Sequence, residues 1–509
     1  MSLANFHEKA ALAASSVLKG FDIDAFAKSL DTFKIAFQFD HSAVASPEGR
    51  LTLSLSVNLA ARIYPRISIT GTGAGSADLS AELQAVARAI NPQITLDEQT
   101  RGASAYIVVG KTNTRARCPT VYLGSDGWVV KISTVKAMSS GRTNNPFAAG
   151  AAACFGAANI FRALFKNQLE SAALDAPWEM SLLDFEPNNG HPANPPLSSI
   201  AIGEVHLVGL GAIGNGTVWA LSKLKDCRGT LVLVDHEHIE LSNLQRYVLA
   251  TQADDQCLKV DMARKTFAGS SLNVQVEPLR WAEYLPRRKN WHLERVLVAV
   301  DTAEVRRGIQ ASLPKWIANA WTQPGDLGLS RHNFLDNGAC LMCLYLPPGP
   351  QKHFDQLVAE AIGLPTALLE VRRLLFTGEG LTRGFIELIS NALKIDVQAL
   401  LLFEGKPLRV FYSQAVCGGI ILSLTKGAVR QNVEVPMAFQ SALAGILLAA
   451  ELVADVGAIR GVHLPTKTTI DLLKPLGTYL SFPHQKHMSG KCVCQDADFV
   501  AAYRAKYTA

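Results

Sequence analysis

The chain of 509 residues has little charge, no uninterrupted apolar run of membrane-spanning length and no cysteine framework. Charged residues make up 18%, below the usual quarter, and the net charge of +5 gives no indication of nucleic acid or a membrane as a partner. The N-terminal stretch MSLANFHEKAALAASS lacks a basic region followed by an apolar core, so we expect no signal peptide. The nine scattered cysteines favour reduced thiols in a cytoplasmic protein.

Two segments, 147–165 and 437–456, are apolar enough to be considered as membrane spans. The first is mostly Ala and Gly with an Asn and an Arg, and the second contains a Gln and a Glu. A spanning helix needs about 20 predominantly apolar residues, so we expect two buried helices instead. Each follows an x-Pro pair and runs through small residues, which favours two related α/β halves. The alternative is that any buried helix of small residues looks like this.

A linker is predicted at 187–198, PNNGHPANPPLS, where prolines are dense. Before it, residues 1–186 show α/β patterns, and after it VHLVGLG, GTLVLVD and RVLVAVD alternate with helical segments, as in a parallel doubly wound sheet. Residues 351–411 look helical and predict an inserted subdomain, which divides the second domain into 199–350 and 412–509. In the first domain we predict strands at 51–57, 66–71 and 105–110, a helix at 78–90 and a hairpin at 120–133.

A glycine turn carries the first functional signal. Gly209, Gly211 and Gly214 form G-x-G-x-x-G between a strand and a helix, where backbone N–H groups face a phosphate. Asp235 ends the next strand and is placed to accept ribose hydroxyls. Enzymes that use NAD(P) and enzymes that use ATP share both features, so these residues leave the nucleotide open.

The residues after Asp235 favour ATP. Asn243, Arg246 and Lys259 offer an amide and two cations, and Asp301 ends a later strand at the carboxyl edge of the sheet, where ligands bind. Two cations and a carboxylate beside a phosphate turn suit a triphosphate with Mg²⁺. A nicotinamide site needs neither.

The combined pattern D-x-[DE]-x(5)-N-L-x-R, then a lysine, then A-[VL]-D-x(4)-R resembles the adenylyltransferases that activate ubiquitin-like proteins. That family includes the bacterial activators of molybdopterin and thiamine sulfur carriers. The resemblance covers about 203–350 and 412–495. It implies that Asp235 holds the ATP ribose and that Asp301 positions Mg²⁺. Phosphate contacts are implied for Asn243, Arg246 and Lys259.

The family pattern also has departures and one open position. Tyr247 stands where the family usually has Gln, and Glu237 and Thr302 stand for Asp and Asn. Family members often add an arginine from the partner half that reaches the phosphates. The sequence offers four candidates for that arginine: Arg62, Arg66, Arg142 and Arg162.

The family resemblance extends to a zinc site. Cys340 and Cys343 resemble its first cysteine pair, and Cys492 and Cys494 supply the second as C-x-C rather than C-x-x-C. Four thiolates suit tetrahedral Zn²⁺. Because the second pair is contracted, His484 or His487 is a possible replacement ligand. The alternative is four buried free thiols.

Cys417 lies just after the helical insertion and before two glycines. In the family's activating enzymes a cysteine in this region takes the adenylated C-terminus as a thioester, a reaction that suits a thiolate nucleophile. The alternative is a buried core cysteine. The remaining cysteines are given no role: Cys118, Cys154, Cys227 and Cys257.

The resemblance therefore implies an α/β protein with two Rossmann-like doubly wound halves, the first degenerate and the second active, paired within one chain. The implied cofactors are ATP, Mg²⁺ and Zn²⁺. The implied partners are a ubiquitin-like protein with a C-terminal glycine and a conjugating enzyme. The layout is similar to activating enzymes of bacterial Bil-type conjugation operons with an antiphage role. Three alternatives remain: a sulfur-carrier adenylyltransferase, an NAD(P)-dependent oxidoreductase and a non-catalytic scaffold.

Overall fold

The computed structural model describes residues 3–347, 353–416 and 435–507. Within them, two sheets are flanked by helices, and a group of short helices packs separately. The strands are β1 Ile35–Asp40, β2 Arg66–Thr72, β3 Thr95–Asp97, β4 Ala105–Val109, β5 Thr120–Asp126, β6 Val129–Ser133, β7 Trp178–Ser181, β8 Ile200–Val208, β9 Cys227–Val234, β10 Leu272–Glu277, β11 Arg295–Val298, β12 Trp316–Thr322, β13 Asp326–Asn333, β14 Lys467–Asp471 and β15 Ser481–Phe482.

Helices surround both sheets and make up the insertion. The α-helices are α1 His7–Ser15, α2 Ile23–Thr32, α3 His41–Val44, α4 Pro47–Ala61, α5 Ser76–Ile90, α6 Phe147–Leu164, α7 Ala212–Ser222, α8 Lys259–Thr266, α9 Trp281–Tyr284, α10 Ala303–Ala311, α11 Leu341–Tyr345, α12 Phe354–Ala361, α13 Leu368–Thr377, α14 Arg383–Leu393, α15 Val397–Leu400, α16 Leu408–Phe411, α17 Ala438–Val456 and α18 Ala497–Tyr507.

The two sheets repeat one topology. The first has the order β3-β2-β1-β4-β5-β6-β7, and the second has β10-β9-β8-β11-β12-β13-β14-β15. In each sheet the first five strands in chain order pair in parallel and the later strands pair antiparallel. Helices α6 and α17 each connect the sixth and seventh strands of their own sheet. The prediction of two Rossmann-like halves is confirmed, and the shared position of α6 and α17 supports a duplication.

The core lies between the two halves, around α6, α7 and α17. A Cβ atom added to Gly445 of α17 would lie 2.1 Å from the carbonyl oxygen of Ile213, so only glycine allows these helices to approach so closely. The rings of Phe161 and Phe439 join α6 to α17 with centroids 5.9 Å apart. Helices α6 and α17 are long and apolar enough to cross a membrane, but 83% and 89% of their most apolar windows are buried inside the fold. They are the predicted core helices.

One element of the first half was predicted wrongly. Residues 51–57, LTLSLSV, alternate like a strand but lie within α4. The side chain of Ser46 accepts a hydrogen bond from the N–H of Gly49 at 2.9 Å, and Pro47 occupies the first turn. Both features start a helix, and burial on most sides of α4 removes the polar face that would have revealed the helical period. The other four first-half elements are confirmed.

The helical insertion has a hydrophobic core of its own, separate from the core of the two sheets. Its helices run from α12 to α16, and a π-helical turn, Tyr412–Val416, adds Ala415 and Val416 to the same core. The packing of this subdomain therefore continues past residue 411. Cys417 lies outside the described residues.

Candidate active site

A cleft of about 790 Å³ opens where β8, β9 and β11 end at the carboxyl edge of the second sheet. Ligands of doubly wound folds bind at this edge. The predicted residues that line the cleft are Gly209, Gly211, Asp235, Arg246, Lys259 and Asp301. Gly214 and Asn243 lie nearby but are not part of its lining.

The glycine turn forms one wall of the cleft. Gly209 has φ 92°, and a Cβ atom there would lie 2.6 Å from the carbonyl oxygen of Ala299. A Cβ atom on Gly214 would lie 2.2 Å from the carbonyl oxygen of Gly209, so Gly214 permits the turn without facing the ligand. Gly211 is the N-cap of α7 and exposes the N–H groups of that helix start to the cleft.

Asp235 fixes the glycine turn to the end of β9. One carboxylate oxygen, Oδ2, accepts from the N–H of Leu210 at 2.6 Å, and Oδ1 accepts from the N–H of Glu237 at 2.9 Å. The side chain is nearly buried but still lines the cleft. A carboxylate held in this way has lone pairs left for the two hydroxyls of a ribose.

Two cations flank the ring of Tyr247, which is buried. Lys259 Nζ lies 5.2 Å from the ring centroid and the guanidinium carbon of Arg246 lies 5.6 Å from it. Lys259 Nζ also donates to Glu237 Oε2 at 2.5 Å. Burial alone would lower the pKa of Lys259, but Tyr247, Asp235 and Glu237 outweigh burial and raise it. Two of the three departures from the family pattern, Tyr247 and Glu237, thus stabilise the charge of Lys259.

Arg246 carries the clearest sign of a missing ligand. Its Nη1 atom is buried and has no hydrogen-bond partner among the described residues. A buried guanidinium nitrogen without an acceptor is unfavourable, and an anion in the cleft would satisfy it. The chemistry of the lining therefore fits the phosphates of ATP.

Asn243 is placed differently from its prediction. Its Oδ1 accepts from the N–H of Glu240 at 3.1 Å, within the cap of the short 3-10 helix Leu241–Gln245. The side chain therefore shapes the segment that leads to Arg246. Its phosphate contact stays a prediction.

Asp301 follows β11, the strand paired with β8, and its side chain is exposed while its backbone is held in place. The buried guanidinium of Arg306 donates to the carbonyl oxygens of Val300 at 2.5 Å and of Asp301 at 3.3 Å. Thr302 caps α10 by accepting from the N–H of Val305 at 3.3 Å. The exposed carboxylate is the hard oxygen ligand that Mg²⁺ prefers, so the site fits that ion.

The first half contributes one cation that the sequence did not reveal. Lys9, on α1, is 5% exposed and lines the cleft of the second half. No motif surrounds it in the sequence, because its place depends on how the halves pack.

None of the four candidate arginines lines the cleft. Arg66 pairs with Asp97 at 3.2 Å, and Arg162 pairs with Asp175 at 3.2 Å inside the first half. Arg142 is exposed. Arg62 is buried against the backbone of the segment that carries Arg246.

Within residues 3–186, the described part of the first half, no equivalent of the phosphate turn is present. Asp40 ends β1, where β8 leads into the glycines of the second half. Its Oδ1 accepts from the N–H and the hydroxyl of Ser42 at 2.9 and 2.5 Å, and its Oδ2 accepts from the N–H of Lys111 at 3.1 Å. A carboxylate already takes the N–H groups that a phosphate would need. The first half is accordingly degenerate.

The four predicted zinc ligands converge. The Sγ atoms of Cys340 and Cys492 lie 3.4 Å apart, those of Cys343 and Cys494 lie 3.6 Å apart, and all four lie within 4.8 Å of one another. Tetrahedral Zn²⁺ with bonds of about 2.3 Å separates its sulfurs by about 3.8 Å. The contracted C-x-C pair therefore fits the ion, because a 3-10 turn, Val493–Gln495, brings both thiols to one side.

The two histidines do not replace a cysteine in this cluster. His487 donates its backbone N–H to Cys343 Sγ at 3.3 Å, and its ring nitrogen pairs with the hydroxyl of Ser489. His484 lines the ATP cleft instead. Among the cysteines without a predicted role, Cys154 and Cys227 are buried in the core, and burial raises the pKa of both thiols.

Residues 196–489 match the ThiF family. The chain belongs to the ThiF family. That membership, together with the cleft, makes it an ATP-dependent adenylyltransferase and resolves the choice of nucleotide in favour of ATP over NAD(P). Residues 38–166 match a second family, Prokaryotic E2 family C. That stretch lies in the first half, whose strand order repeats the order of the ThiF-matching half.

Among curated proteins, this ThiF-family chain is similar to an uncharacterized protein, y4jF, of Sinorhizobium fredii (strain NBRC 101917 / NGR234). The two are 45% identical over 507 residues, which cover 100% of this chain and 98% of that protein. Among solved structures, E. coli MccB with MccA-N7isoASN matches with 14% identity and a TM-score of 0.35, over 58% of this chain and 67% of that chain. SeMet PaaA matches with 14% identity and a TM-score of 0.29, over 53% and 61%.

Proposed function

We propose that the chain activates a small ubiquitin-like protein by adenylating its C-terminal carboxylate and then binding it as a thioester. The observation that carries the adenylation step is the grouping of the glycine turn, Asp235, Arg246 and Asp301 in one cleft. Because the buried Nη1 atom of Arg246 has no hydrogen-bond partner among the described residues, an anion bound in that cleft would be stabilised. The thioester step rests on the position of Cys417 in the sequence.

In the first step an oxygen of the C-terminal carboxylate attacks the α-phosphorus of ATP. The bond from that phosphorus to the oxygen bridging to the β-phosphate breaks, and pyrophosphate leaves. Asp235 holds the ribose, while Arg246 and Lys259 stabilise the charge that develops on the phosphate oxygens. Mg²⁺ held at Asp301 would neutralise further phosphate charge.

We assign to Lys9 the role that an arginine from the partner half often has in the family, which is to bring a cation to the phosphates. It brings a positive charge from the first half into a cleft formed by the second half. A lysine is a point charge and cannot form the paired hydrogen bonds of a guanidinium. We therefore assign Lys9 to charge neutralisation rather than to shaping the transition state.

In the second step the thiolate of Cys417 attacks the acyl carbon of the adenylate. The thiol has lost its proton to solvent before the attack; the bond from the acyl carbon to the AMP oxygen then breaks, and AMP leaves. The thioester then passes to the cysteine of a conjugating enzyme. The proposed setting is the cytoplasm of a bacterium, in a conjugation operon with an antiphage role.

Two features support a ubiquitin-like substrate over a sulfur carrier. The helical subdomain with its own core is inserted directly before Cys417. The chain also contains both halves of the pair, whereas sulfur-carrier activators are usually symmetric dimers of shorter chains. A scaffold without catalysis is disfavoured by the complete set of charges in the cleft.

The test is incubation of the purified chain with MgATP and candidate ubiquitin-like proteins that end in glycine. Pyrophosphate exchange reports adenylation, and a band on a non-reducing gel reports the thioester. A thiol-sensitive band that disappears in Cys417→Ala, while exchange persists, supports both steps. Exchange without a band in the wild type would favour a sulfur-carrier activator, and neither signal with a bound cognate protein would favour the scaffold.

A further inference from the structure

The first half touches the ATP cleft of the second half through more than Lys9. Asn58 in the last turn of α4 and Arg62 at its C-cap lie one turn apart and reach across the boundary between the halves. Arg62 is 1% exposed and forms no ion pair among the described residues. Burial lowers its pKa to about 9, so the guanidinium stays charged at neutral pH and needs strong acceptors.

The acceptors of the two terminal nitrogens of Arg62 belong to one segment of the second half, residues 244–250. Arg62 donates to the carbonyl oxygen of Leu244 and, at 3.1 Å, to that of Ala250. Asn58 Nδ2 donates to the carbonyl oxygen of Val248 at 3.0 Å, and Asn58 Oδ1 accepts from Arg62 Nε at 3.0 Å. Two side chains of one helix thus hold three carbonyls of the segment.

The segment is also held from the opposite side. The N–H of Leu249 donates to Asn215 Oδ1 at 3.3 Å, and Asn215 lies on α7, the helix that follows the glycine turn. The same side chain donates to the carbonyl oxygen of Leu210 at 2.9 Å, within the turn. Residues 244–250 therefore lie fixed between the first half and the phosphate-binding helix.

The segment carries two residues of the cleft, Arg246 and Tyr247. A Cβ atom on Gly211 would lie 3.6 Å from the Tyr247 hydroxyl, so the ring lies directly beside the glycine turn. Because Arg246 lies between two of the carbonyls that Arg62 binds, a shift of either carbonyl would move the guanidinium.

We propose that Arg62 and Asn58 are positioning residues that set the place of Arg246 relative to the ATP phosphates. The degenerate half then has a task in the reaction although it binds no nucleotide through a glycine turn of its own. This inference rests on the proposed function of the cleft. We call the hydrogen bonds from Arg62 and Asn58 to residues 244–250 the clamp. Displacements of about 1 Å at a reacting site can lower rates by about a hundredfold, so loss of the clamp is expected to have a large effect on the reaction.

The decisive experiment is a double-mutant cycle in pyrophosphate exchange, with Arg62→Lys and Arg246→Ala. Lysine keeps the charge but has a single nitrogen in place of the rigid guanidinium fork that reaches Leu244 and Ala250 through separate nitrogens, so we expect the KM for ATP to rise about tenfold. In the Arg246→Ala background the same change should raise KM less than twofold, because the residue it positions is gone. If Arg62→Lys instead raises KM by the same factor in the wild type and in Arg246→Ala, its effect does not act through Arg246, and the clamp is contradicted.

Arg50→Lys is the matched control, since Arg50 lies on the same helix but pairs with Glu82 at 2.7 Å on the surface. It should leave KM unchanged. Asn58→Ala provides a second variant that removes the contact with the Val248 carbonyl and one acceptor of Arg62 while the Arg62 side chain itself is kept, and a rise in KM of about threefold is expected. If the KM for ATP of both Asn58→Ala and Arg62→Lys equals that of the wild type, the clamp is rejected.

A readout that needs no ATP separates the two proposals. Hydrogen exchange of the nucleotide-free protein should be faster at the amides of residues 244–250 in Arg62→Lys and Asn58→Ala, and unchanged in Arg50→Lys. Unaltered exchange in the first two variants would overturn the clamp while leaving the proposed function intact. A wild-type chain that fails to bind MgATP would instead reject the proposed function and this inference with it.

Discussion

Lys259 Nζ lies 2.5 Å from Glu237 Oε2 at the edge of the ATP cleft, and the lysine side chain is 5% exposed while the glutamate is 57% exposed. The pair turns a buried lysine towards the cleft and anchors it to a carboxylate that solvent can reach. Lys259→Met removes the charge, so pyrophosphate exchange should fall about a hundredfold in kcat/KM. Glu237→Gln keeps an acceptor and should cost less than tenfold. A Lys259→Met enzyme within threefold of the wild type would contradict the assigned role.

The same pair predicts how ATP affinity depends on pH. Burial disfavours both charges. Lys259, with His236 and Arg280, outweighs burial and lowers the pKa of Glu237. Tyr247, Asp235 and Glu237 outweigh burial and raise the pKa of Lys259. The lowered carboxyl pKa gives stability that is lost only as pH falls through it, and the raised lysine pKa gives stability that is lost only as pH rises through it. Between about pH 6 and 9 both groups stay charged.

Calorimetric titration of MgATP over that range should therefore show no change that depends on this pair. The comparison is Glu237→Gln, which should have the same pH profile as the wild type at a lower affinity. A profile that differs between the two proteins near neutral pH would show that one of these groups titrates there.

Lys9→Met tests the contribution of the first half. The variant should weaken exchange by about tenfold to a hundredfold, because a cation near the phosphates is lost, and the melting temperature should stay within a few degrees. Lys19→Met is the control, since Lys19 pairs with Glu170 on the surface. Equal pyrophosphate exchange by the two variants would show that Lys9 has no role in the reaction.

Asp301→Asn tests the magnesium site. Asparagine keeps the shape and the backbone contacts of Arg306 but loses the anionic ligand. Exchange should fall about a hundredfold at ordinary Mg²⁺ and recover in part at high Mg²⁺. Glu304→Gln, an exposed carboxylate on the neighbouring helix, should behave as the wild type. A loss that Mg²⁺ does not influence would argue against the metal role.

The cysteine cluster predicts about one zinc ion per chain by elemental analysis. Four thiols this close, held between the second sheet and α18, should bind the ion tightly, and its removal by a chelator should lower the melting temperature. Cys343→Ser should lose the zinc, whereas Cys118→Ser should retain it. If the purified protein is folded without bound metal and a chelator leaves its melting temperature unchanged, the zinc assignment is wrong.

The sequence was most informative for functional residues whose place follows from a neighbouring strand in the sequence. The glycine turn, Asp235 and Asp301 follow strands whose apolar patterns are distinct, and parallel strands bring their carboxyl ends together. Their meeting in one cleft follows from topology alone.

Prediction failed where distant parts of the chain decide the structure. Lys9 enters the cleft because α1 packs against the other half, and no residue near it in sequence records that. The segment 51–57 alternates as a strand would, but Ser46 and Pro47 start a helix there and burial hides its period.

The most direct measurement is the non-reducing gel of the chain with MgATP and a ubiquitin-like protein that ends in glycine. The expected result is a band that requires ATP, is lost with thiol and is absent in Cys417→Ala, while Cys118→Ser still forms it. Pyrophosphate exchange with a cognate protein but no such band in the wild type would contradict the thioester, and the absence of exchange as well would contradict activation itself.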